Sequence, residues 1–426
     1  DNFTIFIPGT IKGEKVRVLI VKVLSSHGFG KVIEILEKSQ ARQDVDCNTY
    51  KRCGGCNLRH VKYEETLKMK QNAVQSLVNK TLKNKLQIKE TVGMENPLHY
   101  RNKAQYPIGI NKQGEPVIGV FANRTHEVIP IDNCLIQNKK SEEIAKFIIE
   151  FIKEKNISIY DEKTGKGLVR HIVTKVGIKT GEIMCVIVIN GHKIPNENEL
   201  VENLKTKYPE IKAIVKNINM KNTNVILGQE NINLYGNGYI EDILGEYKFK
   251  ISPLSFYQVN PVQAEKLYDL GVSMAEITKN DIVFDLYCGI GTISLFMSKF
   301  AKKVYGIEIV EEAVKMAKEN AQNNNVSNTE FFAGDVEIVL DDLINNKGLK
   351  ADVVMFDPPR KGLDKKSIDN ILNIRPKKIV YISCNPATLI RDLADFENEY
   401  DIKTIIPVDM FPFTSHVECV ATLQLK

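Results

Sequence analysis

The chain has 426 residues, 43% of them hydrophobic and 26% charged, with a formal net charge of +5 at pH 7 and eight cysteines. That length allows two or three domains, each with its own core, and the composition is that of an ordinary globular protein. No stretch approaches the roughly 20 apolar residues that span a bilayer, no signal-peptide pattern opens the sequence, and the cysteines do not read as a secreted disulfide scaffold. A cytoplasmic protein without a membrane segment is expected.

Residues 1–39 alternate apolar and polar in short runs, Phe3-Thr-Ile-Phe-Ile and Val16-Arg-Val-Leu-Ile-Val, separated by turns at Pro8-Gly9 and His27-Gly28. They predict a small all-β unit of OB-like type. The chain starts at Asp1 inside this pattern, which leaves few strands to close a barrel. A basic stretch follows, with Lys51, Arg52, Arg59, His60, Lys62, Lys68 and Lys70 close together. It suits a nucleic-acid patch or an ordinary solvated helix face equally. The helical run from about residue 63 to 83 has Leu67, Val74, Leu77 and Val78 on its apolar side.

Residues 40–255 then read as a mixed α+β domain, with strands such as Met184-Cys-Val-Ile-Val-Ile and a helix near 141–155. From about residue 256 helices and apolar strands alternate, starting with a helix at 261–277 and the strand Ile282-Val-Phe-Asp-Leu. This rhythm predicts an α/β, Rossmann-like, doubly wound sheet over 256–426.

The loop Asp285-Leu-Tyr-Cys-Gly-Ile-Gly-Thr joins a strand to a helix, and its glycines 289 and 291 let backbone approach a ligand. Glu308 ends the next strand and can accept hydrogen bonds from two ribose hydroxyls; Asp335, after the strand beyond, can meet an adenine edge. The loop alone suits a dinucleotide as well. Ser294 stands where a third glycine would be expected, and no Walker lysine follows. Acidic residues at successive strand ends favour a cationic sulfonium nucleoside, S-adenosylmethionine.

Three later segments carry candidate chemistry: Asp357-Pro-Pro-Arg360, Ser383-Cys-Asn-Pro386 and Phe411-Pro-Phe-Thr-Ser-His-Val-Glu418. Uracil C5 is a weak nucleophile until a thiolate adds at C6. After methyl transfer the C5 proton must leave so that the thiol can be expelled. The reaction needs one cysteine, one base and a nearby sulfonium. Cys384 is the candidate nucleophile, Glu418 the base, and Asp357 lies between cofactor and substrate. Alone, Cys384 would more often be a buried structural thiol and Glu418 a surface carboxylate; together, after such a loop, they point to catalysis.

In order, Phe256-Tyr-Gln-Val-Asn260, the loop at Asp285, Asp357-Pro-Pro-Arg, Ser-Cys-Asn-Pro and the terminal His-Val-Glu resemble the RNA 5-methyluridine methyltransferase family over essentially the whole chain. The resemblance implies cofactor contacts from Gln258, Asp285, Tyr287, Gly289, Glu308, Asp335 and Asp357. It makes Phe256, Arg360 and Arg101 candidates for substrate binding, with Phe256 stacking on a flipped uracil; as a core aromatic at a domain junction Phe256 is equally well explained.

Cys47, Cys53 and Cys56 read C-x5-C-G-G-C, with Cys134 far downstream. Four thiolates suit tetrahedral zinc or a four-iron cluster, and spacing does not separate them. The resemblance implies a 4Fe–4S cluster, a TRAM domain over 1–39, and 23S rRNA as substrate for a monomeric enzyme. A tRNA-acting enzyme is the alternative within the family. An iron–sulfur oxidoreductase with a dinucleotide would leave Cys384 and Glu418 without a role, as would a non-catalytic RNA-binding assembly factor.

Overall fold

A computed structural model describes residues 3–122 and 125–426; Asp1 and Asn2, at the head of the expected 1–39 unit, lie outside them. The first strands, β1 (Thr4–Phe6), β2 (Lys15–Val23) and β3 (His27–Glu37), form a sheet of order β1-β3-β2. Three register shifts twist the antiparallel β2–β3 pair. Three strands do not close a barrel, and Phe6, Val21, Val23 and Ile33 stay exposed. The OB-like expectation is met here only as an open sheet.

Helix α1 (Tyr63–Thr81) carries Glu64 and Glu65 in its first turn and Lys80 in its last, the order that complements a helix dipole. Its buried Val74 and Val78 pack with Leu389, Leu393, Phe396 and Ile405 from the far end of the chain. The N-terminal region is thereby fastened to the C-terminal sheet.

The middle of the chain runs β4 (Lys103–Ile110), β5 (Pro116–Phe121), β6 (Val128–Pro130), α2 (Lys139–Glu154), β7 (Val169–Val176), β8 (Ile183–Ile189), α3 (Glu197–Lys207), β9 (Ile211–Ile218) and β10 (Glu230–Tyr235). These strands form one sheet of order β10-β9-β8-β7-β4-β5-β6. Only β8 and β9 pair in parallel, because α3 supplies the crossover. Asn138 caps α2 by accepting from the Lys140 N–H (3.0 Å). Ile144, Ile148 and Ile152 of that helix pack on one face of the sheet with Tyr106, Ile172 and Ile187. The alternate residues Val173, Val186 and Val188 point the other way, into a core shared with the C-terminal region.

A hairpin, β11 (Ile240–Leu244) and β12 (Tyr247–Ile251), precedes the last layer: α4 (Pro261–Ala275), β13 (Ile282–Leu286), α5 (Thr292–Ser298), β14 (Lys303–Glu308), α6 (Glu311–Asn323), β15 (Thr329–Ala333), α7 (Val336–Asp341), β16 (Val353–Phe356), α8 (Lys365–Ile374), β17 (Lys378–Ser383), α9 (Pro386–Phe396), β18 (Tyr400–Val408) and β19 (Glu418–Leu425). The sheet order is β15-β14-β13-β16-β17-β19-β18, parallel except for β19, which runs antiparallel to both neighbours. Chain order reverses between β14 and β16 on either side of β13. That switch point opens a crevice at the carboxyl ends of the strands, the usual ligand position in such sheets. The expected Rossmann-like half is thus observed, with a terminal antiparallel pair that local patterning did not indicate.

Candidate active site

Asp285 sits near the end of β13 and is 1% exposed. The Ser294 hydroxyl donates to its Oδ2, while Oδ1 is buried and has no partner among the described residues. Burial pushes its carboxyl up to about 7; the Ser294 bond opposes this, and the charges of Asp357 and Glu308 add to it. Tyr287 adopts a left-handed φ of 64°, a strained conformation for a bulky residue. Its hydroxyl lies 3.4 Å from Ser367 Oγ.

The two loop glycines serve different purposes. A Cβ on Gly291 would stand 3.0 Å from Ala317 and Phe331, so this glycine allows close packing at the start of α5. A Cβ on Gly289 would meet nothing within 4 Å, so its backbone borders open space. The Gly289 N–H donates to Glu308 Oε2 (3.1 Å), and the Val310 N–H donates to Oε1 (3.0 Å). Asp335 is exposed and caps α7, accepting from the Glu337 N–H (2.9 Å). Gln258 lies in the linker before α4, and its carbonyl accepts from Asn102 Nδ2 (3.0 Å). An orphaned carboxylate oxygen, an open glycine edge and acidic strand ends together fit a cationic nucleoside.

Cys384 follows β17, and Glu418 opens β19. Ser383 pairs with Cys419 in the antiparallel register, so Cys384 and Glu418 lie one step further along. Glu418 is only 5% exposed. Burial pushes its carboxyl up to about 8, Asp357 adds to the rise, and Arg360 opposes it. Asp357, at the floor of the crevice, is raised to about 7 by burial. The half-buried Cys384 thiol is also raised, by burial first and then by Glu418 and Asp357, with the Arg360 guanidinium pulling it down.

The Ser-Cys-Asn-Pro run explains why the thiol stands there. Asn385 caps α9 by accepting from the Ala387 N–H (3.1 Å), and Pro386 occupies the first turn, where no N–H is needed. Cys384 therefore precedes a helix N-terminus, whose partial positive charge favours a thiolate. Asn385 Nδ2 and the Thr388 hydroxyl donate to the Arg360 carbonyl (3.1 and 3.3 Å), which ties the Asp357–Arg360 loop to the same helix end.

At the rim, Arg360 is exposed and Phe256 is 73% exposed. Arg101 places its guanidinium carbon 6.0 Å from the Phe411 ring centroid, and its buried Nε has no partner among the described residues. Lys175 was not singled out from sequence. Its Nζ donates to the carbonyls of Ser252 (2.7 Å) and Ser255 (2.9 Å), anchoring the loop that presents Phe256. A lysine in the otherwise β-branched run Ile172–Val176 of β7 was the available signal. Tyr268, a helical residue without a motif, offered none, and Ser294 stood out only as the residue in place of a third glycine.

Cys47, Cys53, Cys56 and Cys134 are free and half-buried. The Cys56 thiol is pushed up to about 12, by burial first, then by Cys134 and Cys53, with a smaller part from Cys47. The four thiols share one corner of the molecule. Cys53 Sγ accepts from the Gly55 N–H (3.2 Å), and Cys47 Sγ lies 3.4 Å from the Thr49 hydroxyl. Among the described residues, no group of three or more His, Cys, Asp or Glu side chains stands in a metal-holding arrangement. No helix there is long and apolar enough to cross a membrane. A separate cavity of about 470 Å³, lined by Tyr247, Val272, Ile277, Phe296 and Phe300, contains none of the candidate site residues.

The chain was compared with known proteins. The family model described as tRNA (Uracil-5-)-methyltransferase matches residues 62–426. An uncharacterized RNA methyltransferase of Clostridium acetobutylicum is 49% identical, over 100% of this chain and 93% of its own length. Another, from Caldanaerobacter subterraneus, is 47% identical over 100% of this chain and 94% of its own. Among solved structures, the Pyrococcus abyssi tRNA (uracil-54, C5)-methyltransferase, in complex with S-adenosyl-L-homocysteine, superposes with a TM-score of 0.79 at 26% identity, covering 99% of this chain and 95% of that one. The chain belongs to the tRNA (uracil-5-)-methyltransferase family.

Proposed function

We propose that this chain methylates carbon 5 of uridine in RNA with S-adenosylmethionine as donor, using Cys384 as covalent nucleophile and Glu418 as base. The observation that carries this reading is the adjacency of that thiol and that buried carboxyl at the end of β17 and the start of β19, beside the acidic crevice at β13. Asp285, Tyr287, Gly289, Glu308, Asp335, Gln258 and Asp357 would hold the donor, whose sulfonium supplies an electrophilic methyl group.

The chain's own residues do the rest. Cys384 Sγ adds to uracil C6, and the C5=C6 electrons move onto the C4 carbonyl as an enolate. Once C5 carries its methyl group, Glu418 takes the C5 proton. The released pair re-forms C5=C6 and expels the Cys384 thiolate. Arg360, beside Cys384, offsets the negative field of the two carboxylates and stabilises the thiolate. It and Arg101 suit RNA phosphates or a uracil oxygen, and Phe256 suits stacking on an extruded base.

We further assign residues 1–39 to a TRAM-like RNA-binding unit, 40–255 to a central domain and 256–426 to the catalytic domain of a monomeric, cytoplasmic enzyme. We assign Cys47, Cys53, Cys56 and Cys134 to a 4Fe–4S cluster with a structural, RNA-positioning role, since the reaction uses no electron; their shared corner supports a four-thiolate centre, and the family resemblance selects iron over zinc. We name 23S rRNA as the substrate, and tRNA methylation is the competing outcome. RNA containing 5-fluorouridine tests the mechanism, because fluorine does not leave as a proton and the adduct persists through denaturation. An adduct formed undiminished by Cys384→Ala would remove the nucleophile assignment. Mapping 5-methyluridine in ribosomal and transfer RNA with and without the protein decides the target.

A further inference from the structure

The segment that follows Cys56 grips the loop that delivers Glu418. Residues 409–417 connect β18 to β19 and contain little regular structure of their own. Asn57 Nδ2 donates to Ser415 Oγ (3.0 Å), and the Ser415 N–H donates back to Asn57 Oδ1 (2.8 Å). The Asn57 and Leu58 N–H groups both donate to the Phe413 carbonyl (3.1 and 2.9 Å). Phe413 is held in a left-handed conformation with φ of 63°, and such a conformation persists only where its surroundings over-determine it.

Neighbouring groups hold the same residues. The Arg59 guanidinium lies 4.0 Å from the Phe413 ring centroid and is fixed by a two-pronged pair with Asp46 (2.8 and 2.7 Å). The loop's other end is anchored by buried Asp409, which accepts from Lys70 and from the Tyr63 hydroxyl (2.8 Å). Lys70 also donates to the Phe411 carbonyl (3.2 Å). The contacts at Lys70 and Tyr63 account for where the loop starts. Those of Asn57 lie three residues before Glu418 and set where it ends.

We propose that Asn57 is a positioning residue for proton abstraction: its paired hydrogen bonds with Ser415 set the position of the Glu418 carboxylate over the substrate. This rests on the reading of Glu418 as the base. It also makes the Cys53-Gly-Gly-Cys56 turn and the base-bearing loop one mechanical unit, so order in the turn becomes order at the base.

The test uses the full-length protein with unmodified RNA and S-adenosylmethionine. Asn57→Ala removes both side-chain bonds and leaves the backbone pair to Phe413. Its kcat is expected to fall about tenfold to a hundredfold, the scale of a roughly 1 Å misplacement, with KM for RNA within about twofold of the parent. A denaturation-resistant protein–RNA adduct should accumulate, because addition and methyl transfer continue while release of the C5 proton slows. Asn57→Asp keeps both bonds if the Ser415 hydroxyl donates, and should restore turnover. Ser415→Ala, an exposed change, should show a weaker form of the same defect.

Glu418→Gln serves as the reference. If it accumulates adduct and Asn57→Ala does not, the positioning role is overturned while the mechanism stands. A fall in kcat that tracks melting temperature, without adduct, also overturns it. If Glu418→Gln itself gives no adduct, the base assignment fails first.

Discussion

Cys384 and Glu418 are neighbours across two antiparallel strands, one step beyond the Ser383–Cys419 pair, although they are far apart in the chain. The sheet places the proposed nucleophile and the proposed base on one side of a single crevice; burial raises both groups, Asp357 adds to the rise and Arg360 opposes it. Removing the base while keeping its shape should separate the two halves of the reaction. Glu418→Gln is expected to lower turnover by about 10²- to 10⁴-fold, the usual contribution of a general base. Denaturing gels with labelled RNA should show the stalled adduct, and a variant that turns over at the parent rate would exclude Glu418.

Three carboxyls, the buried Asp285 and Glu418 and the half-buried Asp357, make the ligand-free protein sensitive to pH. Glu418 rises from 4.5 to about 8, and Asp285 and Asp357 rise from 3.8 to about 7. A carboxyl with a raised folded pKa holds its proton more tightly in the folded state. Its contribution to stability is therefore fully present below the unfolded value and is lost as the pH rises through the folded one. The melting temperature should fall from about pH 3.8, the unfolded value of the two aspartates, to about pH 8, and Glu418→Gln should flatten that fall. A cation bound in the crevice favours the ionised carboxylates. S-adenosylmethionine should release protons on binding near pH 7, and S-adenosylhomocysteine, which lacks the sulfonium charge, fewer. Calorimetry in buffers of different ionisation enthalpy measures the difference; equal release would place the sulfonium away from Asp285 and Asp357.

What could be read from the chain alone follows from distance along it. The β13–α5 loop, the cap at Asn385-Pro386 and the acidic end of β14 are local features, and their residue types declare their conformations. The pairing of β17 with β19 is different, because it depends on a register between segments that local periodicity does not encode. Asn57 and Ser415 are 358 positions apart, and neither stands in a recognisable pattern. The antiparallel end of the sheet and the clamp on the 409–417 loop emerge only from the packed structure. The alternating pattern of the first strands announced β-structure correctly, but not whether three strands would close on themselves.

The two glycines of the Asp285–Thr292 loop should fail differently when changed to alanine. Both have positive φ, so each substitution carries a strain of roughly 1–2 kcal/mol. Gly291→Ala adds a tight contact, 3.0 Å from Ala317 and Phe331, so those side chains must give way, and overpacking costs up to about 1–3 kcal/mol more. Gly289→Ala collides with no protein atom and instead places a methyl group where the crevice is open. Thermal melts should rank Gly291→Ala as the less stable variant. Cofactor titration should rank Gly289→Ala as the weaker binder relative to its stability; the reverse ranking would move the cofactor away from that edge.

The cysteine corner makes a prediction about composition. Burial first, and neighbouring thiols after it, raise the Cys53, Cys56 and Cys134 thiols, and four half-buried thiols in one corner gain from being ligated by a metal centre, which takes up their negative charge. Protein purified without oxygen should be brown and carry about four irons and four sulfides per chain, the stoichiometry of such a cluster. Cys53→Ser should lose the colour. A colourless protein holding one zinc per chain would replace the cluster with a tetrahedral site, with Cys384 chemistry unaffected.

Lys175 connects the middle sheet to the loop that carries Phe256, the proposed stacking residue. An aromatic ring that is 73% exposed gains little for the fold where it stands. Stacking on a base contributes about 1–3 kcal/mol in proteins that use it. Phe256→Ala should weaken RNA binding by roughly five- to 150-fold on that scale, while Phe256→Tyr should keep most of the affinity. Lys175 is buried, and its ammonium is brought down to about 7 by burial and by Lys103, yet it satisfies two carbonyls in the turn before Phe256. Lys175→Met leaves those carbonyls without a donor, so the turn should loosen and the ring should lose its fixed position. Binding assays should then show Lys175→Met weakening RNA affinity in the parent and much less in a Phe256→Ala background. Fully additive losses would mean that Lys175 acts on stability alone, because residues that share one function couple in a double-mutant cycle and independent ones do not.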